Sequence, residues 1–100
     1  MTVWGLIVET TTGGGSARHW AADVLGEVRG TREEALRELE AHAQRYRPQH
    51  PFSPQRSRVF RDGDGFLMVV EGRTETFHTR FSVGELIHDS DAGSGPDGTP

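Results

Sequence analysis

The chain has 100 residues, of which 33% are hydrophobic, and a net charge of −4. Such a length holds one domain at most, with a small core that leaves roughly a third of the unfolded chain's surface in water. It contains no cysteine, which excludes disulfides, thiol nucleophiles and thiolate metal sites.

Residues 3–10 read as a first strand, because Val, Trp, Leu and Ile suit a pleated surface. Trp4, Leu6 and Val8 point one way and Val3 and Ile7 the other, the pattern of a central strand with apolar residues on both faces. Residues 11–16 (TTGGGS) are a turn. Over 18–28, Trp20, Ala22, Val24 and Val28 alternate opposite Asp23 and Glu27. A helix would also place Trp20 and Val24 together. The glycine-rich connection suits an antiparallel hairpin, however, and Gly26 is poor inside a helix, so a strand is the favoured reading.

Gly30-Thr31-Arg32-Glu33-Glu34-Ala35-Leu36 opens a helix with a capping box between Thr31 and Glu34. Leu36, Leu39, Ala43 and Tyr46 form one apolar stripe, and Glu33, Arg37, Glu40 and Gln44 the wet face. Pro48 stops the helix at Arg47. Residues 50–57, with Pro51 and Pro54, are a loop. Strands are expected over 57–61, 66–71 and 74–81, separated by turns at Asp62-Gly63-Asp64-Gly65 and Gly72-Arg73. A second capping box, Ser82 to Glu85, offers a short terminal helix over 83–88. Residues 89–100 are polar and Gly/Pro-rich and read as a disordered acidic tail, leaving one domain over 1–88.

The expected fold class is therefore α+β: a single antiparallel sheet of about five strands in the order β-β-α-β-β-β, with one long helix on one face. One helix covers one sheet face. The other needs the proline-rich loop, with Tyr46, Phe52 and Pro54 as its cover, or a partner, and a homodimer is the simplest partner.

Charge is unevenly spread. The 17 residues from Arg45 to Arg61 hold five arginines and no acid, so a +5 segment sits in a chain that is −9 elsewhere. Arg45, Arg47, Arg56, Arg58 and Arg61, with Tyr46, Phe52 or Phe60 as stacking surfaces, are the candidate contacts for a partner or a nucleic acid. The competing expectation is pairing within the chain, to Glu33, Glu38, Glu40 or Glu71. All eleven basic residues are arginine and asparagine is absent, as a GC-rich genome would produce without selection for phosphate binding.

Chemistry-bearing motifs are sparse. Asp62-Gly63-Asp64-Gly65 fails as a calcium loop because Phe66 stands where an oxygen ligand is needed. Gly13-Gly14-Gly15-Ser16 lacks the Gly-Lys-Ser/Thr end of a phosphate loop. Glu38 and His42 supply two metal ligands at most, and no nucleophile elbow occurs. No enzyme activity, cofactor or metal is expected. The N-terminal apolar run lacks a basic flank and nothing reaches membrane-spanning length, so the expected compartment is the cytoplasm.

Val3-Trp4-Gly5-Leu6, the Gly30–Leu36 helix start and Asp64-Gly65-Phe66-Leu67 together resemble a family of small uncharacterised actinobacterial proteins, over residues 1 to about 90. That resemblance implies no activity. Locally, over about 20–46, the strand ending at Gly30 and the following Thr31, Glu34-Ala35-Leu36 and Leu39 are similar to the strand–helix step of HicB-type antitoxins. Those have a partly RNase H-like fold and neutralise an RNA-cleaving toxin. The chain departs from them in lacking a third strand before the helix and in having three after it. The resemblance implies a binding module. The expected function is thus a protein–protein interaction domain, with a nucleic-acid-binding module as the alternative.

Overall fold

The computed structural model describes residues 1–12, 19–47 and 54–91. Its elements are β1 (Val3–Thr12), β2 (His19–Arg29), α1 (Arg32–Arg45), β3 (Arg56–Asp62), β4 (Gly65–Glu71) and β5 (Thr76–Glu85). The strands form one antiparallel sheet in the order β2-β1-β5-β4-β3. The α+β class, the single sheet and its helix agree with the sequence reading.

α1 begins where two observations converge. Thr31 N–H donates to Glu34 Oε1 at 2.8 Å and Glu34 N–H donates to Thr31 Oγ1 at 3.1 Å, completing the capping box. The Thr31 backbone N–H, then the Thr31 side chain, hold the Glu34 carboxyl below its ordinary pKa of 4.5 against the opposing desolvation, with a lesser contribution from the charge of Arg37. Just before it, Gly30 takes φ +148°, and a Cβ there would run into the Glu34 carboxylate. Trp4 Nε1–H donates to the Gly30 carbonyl at 3.0 Å, tying β1 to the strand–helix corner.

The helix buries Ala35, Leu39 and Ala43 at i, i+4 and i+8 against Leu6, Val8, Phe66, Met68, Val70 and Phe81. Two alanines bring the helix axis close to the sheet, and Leu39 fills the gap between them. Full burial of such a side chain contributes about 1.5–3 kcal/mol. The expected stripe is therefore rotated: Ala35 is central, while Leu36 and Tyr46 sit at its margins, half-buried. Tyr46 caps the helix in extended geometry and meets Phe81 edge-on at 5.4 Å.

Two expectations are corrected. No terminal helix forms over 83–88. Ser82, Val83, Gly84 and Glu85 instead continue β5, paired with Ile7, Leu6, Gly5 and Trp4, and Leu86 N–H reaches the Val3 carbonyl. The half-buried Val83 and a complete ladder outweigh a cap that could start only one or two turns. In β2, Trp20, Ala22, Val24 and Val28 do not share a face. The register slips between Leu6 and Ile7, leaving Leu25 as an extra residue. Leu25 and Val28 turn to the helix side and pack on the core, while Glu27 moves to the opposite face.

The β3–β4 hairpin closes through Gly63-Asp64, with Gly63 at φ +58°. Asp64 pairs with Arg32 at 2.9 Å, linking that turn to the start of α1. Gly65 is pressed against the Phe81 carbonyl, leaving no room for a side chain. Thr11 and Thr12, expected to open a turn over 11–16, instead continue β1, paired with Trp20 and His19; the rest of that turn lies outside the described residues, as does the tail from 92 onward. No helix is long and apolar enough to cross a membrane among the described residues.

Candidate interaction surface

Strand alternation and register define the sheet face away from α1. It carries Val3, Gly5, Ile7 and Glu9 of β1, and Trp20, Ala22, Val24, Glu27 and Arg29 of β2. Across β5 come His78, Arg80, Ser82 and Gly84; β4 adds Leu67, Val69 and Glu71, and β3 adds Arg56, Arg58 and Phe60. Val24 is 57% exposed, Phe60 45% and Trp20 42%. Among the described residues no layer covers this face, because α1 packs on the other one.

The face is low where it is apolar. A Cβ on Gly84 would meet Ile7 Cδ1 at 2.9 Å, and one on Gly5 would lie 3.9 Å from Val24 Cγ1. Ile7 and Val24 thus lie down over glycines. Ile7–Val24 on one side and Leu67–Val69–Phe60 on the other make two apolar stripes, separated by the polar row of β5. Arg80 leans across β1 and stacks its guanidinium 5.1 Å from the Trp20 ring. That contact was not foreseeable, because it requires β5 to pair with β1 next to β2. Only the outward placement of Arg80 was visible, from its alternation with Phe81.

The arginine-rich segment does not assemble into one patch. Arg58 lies on the open face, over the Phe60 ring, and pairs with Glu71 at 2.9 Å. Arg61 lies on the helix face, 5.3 Å from the Phe66 ring and 3.6 Å from Glu40. Both pairings were the competing expectation. Arg56 is exposed at the start of β3, and Arg45 and Arg47 are exposed at the far end of α1, where Arg47 Nη1–H donates to the Tyr46 carbonyl.

Tyr46 meets Phe81 edge-on and is half-buried, so only part of its ring is left for the expected outward stacking. Burial and then the negative charge of Asp23 raise its pKa above 10.0. Phe52 lies outside the described residues. Tyr46 and Pro54 flank a groove of about 350 Å³ whose floor is Val59, Met68 and Val70. That groove opens on the helix side. Neither residue covers the open face, so that part of the expected internal seal is corrected.

No group of three or more His, Asp or Glu side chains is placed to hold a metal ion among the described residues. No protein-family model, curated protein or solved structure matches the chain.

Proposed function

We propose that this chain is a non-enzymatic protein-interaction domain, and that the open sheet face is its binding surface. The observation that carries this reading is the exposure of Trp20, Val24 and Phe60 on a face that continues through Ile7, Leu67 and Val69. In a chain with so little hydrophobic material, leaving these side chains in water forgoes stabilisation that a covering surface would recover. Burying one large apolar side chain is worth about 1.5–3 kcal/mol. Nucleic-acid binding is the weaker reading, because Arg58 and Arg61 are each matched by a carboxylate and point to opposite faces.

The chain has no native thiol, so Val24→Cys gives a single reporter on this face. Its maleimide labelling, read beside light scattering with and without a short mixed-sequence RNA at low and high salt, tests the reading. Expected are a thiol that is accessible in the monomer and a mass unaffected by RNA. A thiol shielded in a strictly monomeric protein would mean that the chain covers its own face. A mass increase with RNA that disappears at high salt would favour the nucleic-acid reading.

A further inference from the structure

We infer that the occupant of the open face is a second copy of this chain, packed sheet on sheet across a two-fold axis. The inference rests on reading that face as a binding surface, and three observations point from there to a self-complementary partner.

The first is area. The five strands contain 45 residues. At about 3.3 Å along a strand and about 4.8 Å between strands, they span roughly 700 Å² per copy. Because the β4–β3 side is shorter than the β1–β2 side, two copies would remove roughly 1,100–1,400 Å² from water, above the about 1,000 Å² that a specific interface needs.

The second is charge. The face carries four acids, Glu9, Glu27, Asp62 and Glu71, and four arginines, Arg29, Arg56, Arg58 and Arg80. It is neutral in a chain of net charge −4. A phosphate backbone or an acidic protein calls for a positive face, and a basic protein for a negative one. A neutral face with both signs interspersed can meet its own image without net repulsion.

The third is shape. The apolar stripes of β1–β2 and β4–β3 flank the polar row of β5, which is the central strand of the order β2-β1-β5-β4-β3. A two-fold axis along β5 sets the β1–β2 side of one copy over the β4–β3 side of the other; Ile7 lies level with Ser82 and Leu67 with Arg80, so the two apolar stripes meet offset by two residues, about 6.6 Å along the strands. Glycines under Ile7 and Val24 keep the surface flat enough for sheets to approach to about 10 Å. Arg80 does not oppose its symmetry mate on the axis, because its guanidinium is drawn off over Trp20.

Light scattering on the full chain across micromolar to millimolar concentration is the test, with Val24→Arg, Leu67→Glu and the Val24→Cys labelling rate measured alongside. The expected mass approaches twice 11.0 kDa at the upper end. Each charged variant should return it to 11.0 kDa with an unchanged circular dichroism spectrum. Val24 is an exposed edge-strand position, so its arginine variant keeps the fold even if Leu67→Glu does not. Labelling should slow as the dimer forms. A monomer at every concentration with a reactive thiol overturns the second copy but leaves the open face available to a different protein. A monomer with a protected thiol overturns both the dimer and the binding surface. A dimer that survives Val24→Arg uses some other surface, and overturns the inference.

Discussion

Tyr46 and Phe81 hold the end of α1 to the middle of the sheet, and their contact can be measured. Phe81 is fully buried at the junction of Val8 and Phe66, which are its neighbours on β1 and β4. Replacing it with alanine would cost about 3–5 kcal/mol. That is a large share of the roughly 5–15 kcal/mol available to a domain, so leucine is the better probe at both positions. With rings at 5.4 Å and 83°, the pair has the edge-to-face geometry that contributes about 0.5–1.5 kcal/mol beyond area burial. Urea unfolding of the wild type, Tyr46→Leu, Phe81→Leu and the double variant should therefore give a coupling energy in that range. In melting temperature, at about 4–8 °C per kcal/mol, the coupling corresponds to roughly 2–12 °C. Distant sites add to within about 0.3–0.5 kcal/mol. A cycle that closes inside that margin would refute Tyr46 as the anchor of the helix end and restore it as a residue available to a ligand.

Tyr46 is the single tyrosine, so its phenolate absorbance reports one group. Its midpoint should lie above 10.0 in the folded protein and fall with Asp23→Asn. Because the folded pKa is the higher one, this group's stabilising contribution is present below pH 10.0 and is lost as pH rises through the folded value. Glu34 behaves oppositely: its lowered pKa stabilises above the ordinary value of 4.5 and is lost as pH falls through the folded value. Acid unfolding of Glu34→Gln should lack that component. Thr31→Ala should cost about 1 kcal/mol in urea unfolding. Gly30→Ala should destabilise more in the wild type than in a Glu34→Ala background, since Glu34 is what the new Cβ would strike.

Much of the fold was legible because local signals agreed. The capping box fixed the start of α1, and apolar alternation in β1 and β4 marked strands with apolar side chains on both faces. The misplacements have one physical origin, which is that pairing with a neighbour outranks local preference. Ser82–Glu85 has the residues of a helix start, yet β1 supplies a continuous ladder for the same four residues. The bulge at Leu25 is invisible to strict alternation, because a single inserted residue reverses every side chain beyond it. The rotated helix stripe has a related cause. Ala35 carries little hydrophobic weight in a periodicity argument, but its small size is what allows the helix to sit close to the sheet. The open face could be anticipated by counting layers, whereas its neutrality could not, since that depends on which charges the register brings to one side.

The arginine-rich segment is where sequence and structure differ most in meaning. Its +5 charge suggested a phosphate track, but a track needs several guanidinium groups on one surface. Arg58 and Arg61 are three residues apart in a strand, so they face opposite ways, and Arg47 lies on the helix side, lining the groove beside Pro54, Ser57 and Val59. Arg58 Nε is buried without a hydrogen-bond partner, and the same side chain pairs with Glu71 through Nη2. Its guanidinium carbon stands over the Phe60 ring, 5.4 Å from the centroid, as part of the sheet surface. A half-exposed pair of this kind is worth about 0–1 kcal/mol, so Arg58→Met, which keeps the aliphatic packing, should change stability by less than that. For nucleic acid, four phosphates neutralised on a single strand would give a log–log salt slope of roughly −3. The geometry here predicts a slope near zero for short RNA, and Arg56→Ala with Arg58→Ala should leave it unchanged. A steep slope abolished by those two substitutions would show that Arg58 exchanges Glu71 for phosphate, and would make the segment a binding site after all.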